Sequence, residues 1–429
     1  MHVTEAIEPA GEPGVHLLLA WAIARMVRHD RRMRRSLDSM RIGVRVLQVA
    51  LLLPAALSAQ PVDLRSLTLM RWTAEEDLRL GSVDGTNDAF VRPYIRAIGD
   101  DGYIYVSDTG IPALRVFDSQ GRFVRQIGAQ GAGPGEYQNI AAAGLKGDTV
   151  WVSDPATGRV TLFDRQGQLL ESFRVYFRAG ERRPTGIPVD VLGPERFLVV
   201  SPTGPVMADL APGPVRFTQS LLVTDRAGTR VDTMVTYNVE VPAVRVFPDQ
   251  GAVAQFRTPA ELLDGPLVTY MPERDLVREV HRRATADASV GEFRILFRTR
   301  DGRVVRERRF LYRPFPLPPS VRDGVLARAG SNPRLAQQIR PHLSFPAFQR
   351  PVTAMLASRD GMHWIQREPY LERGSECLVL DADLIPRAII ALPPRAIGFG
   401  GPITRDHFWM LERDDLDVPY LVRYRIVRP

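Results

Sequence analysis

The chain has one cysteine, Cys377, and one lysine, Lys146, in 429 residues. A single thiol excludes an intrachain disulfide and any zinc site built on several cysteines. Past residue 59 there are four histidines, His281, His342, His363 and His407, none at HxH or HxxxH spacing, so zinc has weak grounds. No G-x-S-x-G occurs, and the strand-to-helix elbow of a serine hydrolase is therefore not written here. The glycine-rich run Gly128–Tyr137 (GAQGAGPGEY) has neither the lysine nor the following helix start that a phosphate cradle needs, and it reads as a link between elements. Basic residues outnumber acidic ones, 56 to 49, but all save Lys146 are arginine and they lie scattered among acids. That bias reads as a GC-rich genome, and nucleic acid is not expected as a partner, since no basic stripe with interleaved aromatics forms.

What the chain has in quantity is turn residues. Glycine and proline together make up about one residue in six (34 and 35), which implies many short elements and no long helix. The first 59 residues stand apart. Residues 1–39 are arginine-rich and read as an upstream extension, not part of a fold. From Met40 the pattern is that of an export leader, 40–59: Arg41 and Arg45, then the apolar run Val46–Leu57, then small residues offering cleavage after Ser58 or Ala59. The run is well short of the roughly 20 residues that span a bilayer, so a membrane is expected only through an uncleaved leader. No cysteine follows the run, which excludes a lipoprotein. The rest, 60–429, carries a net charge of only +4, because 1–59 hold eight arginines against five acids.

Self-similarity supplies the fold. DGYIYVSDTGIPALRVFDSQGRFVRQ from Asp101 and GDTVWVSDPATGRVTLFDRQGQLLES from Gly147 place Tyr105 and Trp151, Asp108 and Asp154, Phe117 and Phe163, and Gly121 and Gly167 each 46 residues apart. Both alternate apolar and polar side chains at period two and break at Asp-x-x-Gly, a hairpin signal. Fainter second strands follow in Gly193–Ser201, Leu263–Met271, Arg359–Arg367 and Thr404–Glu412, which makes six units. Further turns into a fourth strand stand at Asp225–Gly228, at Arg300–Gly302 and in CLVLDADLIPRAII, where Leu384 takes the glycine's place. Six four-stranded units of about 40–50 residues predict an all-β fold, a six-bladed β-propeller. The sixth unit is one strand short, and Leu67–Gly81 is an unassigned strand ahead of the first unit. Closure by N- and C-terminal strands sharing blade six is therefore expected. Residues 318–343 break the pattern, with helical stretches at Val321–Ala329 and Pro333–Ile339, and read as an insertion between blades four and five.

The run IGAQGAGPGEYQ (Ile127–Gln138), the VSD strand ends, the Arg115-Val116 and Arg159-Val160 pairs and FDxxG resemble NHL-repeat six-bladed propellers, in particular exported bacterial "6-bladed beta-propeller" proteins. The likeness is specific over 91–175 and continues as pattern over 193–429. It implies a fold and a habit of binding proteins or other polymers through one face, and no reaction.

The candidate chemistry is thin. Asp108 and Asp154 end second strands while Arg115 and Arg159 begin third strands, and their repetition suits an Asp–Arg brace within each blade better than catalysis. The series Tyr105, Trp151, Trp364 and Trp409 fits packing between blades. His363 occupies a slot held elsewhere by Ile104, Val150 and Phe408 and reads as a hydrogen-bonded packed side chain, and Cys377 as a small buried apolar residue. No catalytic, cofactor-binding or metal-binding residue is assigned. Calcium-dependent propeller lactonases ligate their metal with Glu, Asn and Asp in the channel, but Asn87, Asn139, Asn238 and Asn332 fall at no repeated inner position, so calcium has no support here. Arg367 and Glu368, past the fifth second strand and near the insertion, are the ligand-face candidates. The function expected is a non-catalytic binding or scaffold propeller, exported to the periplasm or beyond, monomeric, recognising a protein or envelope polymer. The alternative is a metal-dependent hydrolase, lactonase-like, or a lyase with a channel site. Intact-mass measurement of the protein made in its source cell should give a chain starting at Ala59 or Gln60; a chain starting at Met1 or Met40 would overturn the leader assignment.

Overall fold

The computed structural model describes residues 60–429 apart from 177–179, 181–185, 202–212, 247–253, 258–264, 331–336, 338–339, 341–342, 344 and 371–373. Successive antiparallel strands form six blades. Blade 1 comprises Pro93–Ile98, Ile104–Asp108, Leu114–Phe117 and Phe123–Ile127, and blade 2 Ala142–Lys146, Thr149–Asp154, Arg159–Asp164 and Leu169–Arg174. Blade 3 runs Ile187–Gly193, Arg196–Ser201, Gly213–Thr224 and Val231–Val246, with Ala254–Arg257 as a fifth strand. Blade 4 runs Leu267–Met271, Leu276–His281, Gly291–Arg298 and Val304–Tyr312, and blade 5 Ala354–Ala357, His363–Tyr370, Gly374–Leu380 and Pro386–Ala391. Blade 6 takes Ala396–Phe399, His407–Arg413 and Pro419–Val427 from the C-terminus and Met70–Leu80 from the N-terminus. The helix Pro319–Gly330 lies between blades 4 and 5 as expected; the second helical stretch expected, Pro333–Ile339, falls almost wholly outside the described residues.

Six apolar clusters fill six seams between neighbouring blades, including the one between blade 6 and blade 1, so the ring is closed. Period-two alternation makes this possible, because each strand sends alternate side chains to the blade before and the blade after. Ile104 and Val106 pack toward blade 6 while Tyr105 packs toward blade 2; Phe408 and Met410 pack toward blade 5 while Trp409 packs toward blade 1. Tyr105, Trp151, Trp364 and Trp409 therefore each fill the seam to the next blade, as their repeated position suggested.

The hairpin between third and fourth strands is built alike in blades 1 to 5. Its last turn residue adopts the left-handed backbone: Gly121, Gly167, Gly228 and Gly302 (φ 69–90°), then Leu384 (φ 61°). In blade 6, whose fourth strand comes from the N-terminus, the like turn, with Asp417 at φ 63°, joins the second and third strands instead. In three of the blade 1 to 5 turns and in that of blade 6 an aspartate opens the turn and its carboxylate accepts backbone N–H groups two and four residues on, as Asp118 does from Gln120 and Arg122, and Asp381 from Asp383 and Ile385. Leu384 tolerates a conformation that favours glycine because its side chain is wholly buried in the seam between blades 4 and 5.

One blade departs from the strand assignment. Leu263–Met271 was expected to hold the second strand of blade 4, but Leu267–Met271 is the first, and Leu276–His281 is the second. The turn between them has no glycine, with Asp275 at φ 52°, and the true second strand carries Arg278 and Glu279 in its middle, so it does not look apolar.

The N-terminal segment does more than complete blade 6. Thr73–Leu80 pairs antiparallel with Pro419–Val427, but Met70–Trp72 pairs parallel with Ala388–Ile390 of blade 5, and Val62–Asp63 pairs parallel with Phe310–Leu311 of blade 4. The closure carries a buried acid: Glu412 accepts hydrogen bonds from the Tyr424 hydroxyl (2.5 Å) and from Arg79 Nη2 (3.2 Å), and Arg79 also pairs with the exposed Glu76. Glu412→Ala is expected to cost about 2–3 kcal/mol, chiefly by leaving the buried Tyr424 hydroxyl without its acceptor, since Arg79 keeps Glu76. Glu76→Ala should cost less than about 1 kcal/mol, since that pair is solvent-exposed. Denaturant titration of the two variants measures both.

Candidate functional site

The alternating course of the chain gives the ring two faces. Second-strand ends, blade-to-blade links and the helix Pro319–Gly330 lie at one, the link face; the hairpin turns lie at the other, the turn face.

On the link face the repeated Asp and Arg do brace, but not each other. Asp108 accepts N–H groups of Val91, Arg92 and Gly110, and Asp154 accepts those of Gln138 and Ala156 together with the Thr157 hydroxyl. Arg115 donates to the Ala89 carbonyl (2.8 Å) and Arg159 to that of Ala132 (2.7 Å). The expected Asp–Arg pair is thus corrected: a link carries free backbone donors and acceptors, so the carboxylate takes the donors and the guanidinium the acceptors. In blade 6 the corresponding slot holds Glu412. In blade 5 it holds Arg367, an inversion of charge.

Arg367 is 7% exposed. It lies 5.7 Å from the centre of the Phe315 ring, on the segment leading into the insertion, and 3.7 Å from Glu376 on the paired strand. Arg367 is therefore a buried side chain; Glu368 follows it on the same strand, with its side chain outside the described residues. Near it Arg282 donates to the carbonyls of Val352, Thr353 and Gly265, so this end of the seam between blades 4 and 5 is rich in buried arginine.

Deeper in the same seam two polar side chains meet at slots that are apolar elsewhere. Arg278 faces blade 5 and is 3% exposed; His363 faces blade 4 and is 1% exposed. Arg278 Nη1 lies 3.3 Å from His363 Nδ1, and its Nη2 donates to the Met355 carbonyl. An arginine only donates, so Nδ1 accepts and the imidazole proton sits on Nε2, which has no partner among the described residues. Burial, then the Arg278 charge, pull the His363 pKa from its ordinary 6.5 to about 4, and burial pulls Arg278 down to about 10. Sequence placed His363 as a packed, hydrogen-bonded side chain; it missed the partner, because Arg278 sat in a strand not assigned. Of the other histidines, His407 pairs with Asp77 (3.0 Å) and His281 with Glu279 (2.9 Å), while His342 lies outside the described residues. Cys377 is wholly buried, and burial raises its thiol pKa.

On an inner strand of blade 3, Asp190 is half-buried; burial pushes its pKa up, with Glu273 raising it further and Lys146 opposing. Among the described residues no three His, Cys, Asp or Glu side chains converge as a metal site would require.

The turn face carries a cleft of about 580 Å³ over the seam between blades 5 and 6. Met70, Trp72, Met362 and Trp364 form its apolar wall, and Asp360, Asp381, Arg387, Thr404, Arg405, Asp406 and Arg428 its rim. Sequence could not show it, because Met70 and Trp72 reach it from the other end of the chain.

Residues 86–177 match the family described as "6-bladed beta-propeller". That span contains the 91–175 stretch in which the repeat motifs are sharpest. The chain as a whole is an all-β, six-bladed propeller. Among solved structures it is similar to a Bacteroides fragilis protein assigned as exported (14% identity, 84% of this chain and 100% of that one, TM-score 0.43). It is also similar to a gluconolactonase of Xanthomonas campestris (13%, 84% and 99%, TM-score 0.40) and to a streptogramin B lyase (12%, 83% and 98%, TM-score 0.37). At such identities and TM-scores these likenesses carry no argument about this chain. No curated protein matches in sequence.

The buried histidine sets a pH dependence. Its folded pKa lies below the unfolded one, so its contribution is complete above about pH 6.5 and is lost as pH falls toward 4, where the unfolded chain takes a proton the folded ring refuses. From pH 7 to 4 the wild type should lose about 3 kcal/mol more stability than His363→Phe. Denaturant midpoints at the two pH values give the difference; equal losses would overturn the assignment.

Proposed function

We propose that this protein is an exported binding or scaffold propeller, acting as a single ring, which recognises a protein or other cell-envelope polymer through its link face. The observation that carries the reading is the way the repeated polar residues are spent. Asp108, Asp154, Arg115 and Arg159, the groups most like catalytic ones, are engaged with link backbone, the first three buried and Arg159 partly so, which is what a rigid platform requires. Among the described residues the helical element on that face is Pro319–Gly330, within the insertion 318–343, and it stands where Arg367 inverts the usual charge. Insertions of this kind are where repeat proteins place recognition. Export rests on the leader pattern over 40–59; among the described residues no helix is long and apolar enough to cross a membrane.

Asp190 favours a second reading, a hydrolase or lyase working in the channel. A carboxyl on an inner strand whose pKa is raised by burial suits a general acid. Calcium would enter only under this reading.

Capture from the source organism's envelope fraction by 60–429 should yield a defined partner that is lost when 318–343 is replaced by a short linker. Unchanged capture would sink the insertion's role. Stoichiometric calcium in the purified protein, with activity lost in Asp190→Asn, would favour the channel reading instead.

A further inference from the structure

The cleft on the turn face has a chemistry that the link-face reading does not use. Its six charged rim residues are not equivalent. Arg387 pairs with Asp381 (2.5 Å), and Arg428 pairs with Asp406 (3.1 Å) while lying 4.8 Å from the centre of the Trp72 ring. Two charges are left over. Asp360, in the first turn of blade 5, accepts only from its neighbours Ser358 and Met362, and has no cation partner among the described residues. Arg405, in the first turn of blade 6, makes no side-chain hydrogen bond or ion pair among the described residues; its carbonyl accepts from Arg428. Both are exposed. The two turns are bridged by Ser358 and Ile403, and the cleft beside them offers apolar surface, with Met70 52% exposed and Met362 partly so, along with the two tryptophans.

An unpaired carboxylate and an unpaired guanidinium on neighbouring blades, in one cleft with exposed thioether surface, ask for a ligand that carries both a cation and an anion on an apolar body. We propose that this cleft binds a small apolar zwitterion, namely a short peptide with both termini free and apolar side chains. The ammonium terminus lies at Asp360 and the carboxylate terminus at Arg405. The methionines receive the side chains, and their unbranched, polarisable chains adapt to different shapes. The volume falls within the roughly 300–1,000 Å³ usual for small-ligand sites. A nucleotide is disfavoured, because only one rim cation, Arg405, is left unengaged for its phosphates, and it is matched by the unengaged carboxylate of Asp360. The proposal goes beyond the link-face reading and stands or falls apart from it, since the cleft lies on the opposite face.

Calorimetric titration of the protein with the dipeptide Leu-Phe, its N-acetyl form and its C-terminal amide tests the assignment. The free dipeptide should bind, and each cap should weaken it about tenfold. In Asp360→Asn the N-terminal cap should lose its effect while the C-terminal cap keeps it; Arg405→Gln should do the reverse. Both residues are exposed turn positions, so folding is not at stake, and circular dichroism confirms it. The proposal is overturned by absence of binding up to about 10 mM dipeptide, by equal binding of free and capped forms, or by variants that leave the cap effects unchanged.

Discussion

The structure depends on where the chain's N-terminal segment goes. A propeller is a row of sheets that must meet its own beginning, and each seam is held mainly by burial of apolar side chains, which has no direction of its own. Direction comes from backbone pairing. Met70–Leu80 is the outer strand of blade 6 and at its start also pairs with blade 5, joining two blades into one eight-stranded sheet. Val62–Asp63 extends this to blade 4. The same segment feeds three seams: Val62, Leu64 and Leu69 pack between blades 4 and 5, Trp72 between 5 and 6, and Leu80 between 6 and 1. Half of the ring is therefore sewn by a stretch of about 20 residues, with no disulfide to assist.

Against that regular frame the departures from the repeat gather on one side. Blades 1 and 2 follow the pattern closely. The seam between blades 4 and 5 instead holds Arg278 against His363 where other blades place aromatic or aliphatic side chains, and Arg367 where blades 1, 2 and 6 place a carboxylate. Burying a guanidinium is costly unless acceptors or rings surround it, and here the Met355 carbonyl takes Arg278, those of Val352 and Thr353 take the nearby Arg282, and Glu376 and the Phe315 ring flank Arg367. The helix enters at this seam. A ring that kept only its stability would have no reason to concentrate its irregularities in one place, which is why recognition is assigned to the link face here.

The two faces thus have different logics. The link face is braced by side chains that hold backbone. The turn face is set by hairpins whose aspartates hold their own turns, leaving neighbouring charges such as Asp360 and Arg405 unengaged over the seam between blades 5 and 6.

Much of this was legible in the residues alone. Period-two alternation, the 46-residue repeat and Asp-x-x-Gly are local signals, and local geometry enforces them, so blade number, hairpins, the left-handed Leu384 and the role of Leu67–Gly81 in closure could all be read. The fourth blade's strands were misread because a charged strand after a glycine-free turn has no local signature. Partners were not legible either. Asp108 and Asp154 looked like mates for Arg115 and Arg159, but the links offered both with more hydrogen bonds. Sequence determined that six sheets would form and close. Only the tertiary structure decided what sits beside what at each seam, because Met70 and Arg405, or Arg278 and His363, become neighbours through the ring and not through the chain.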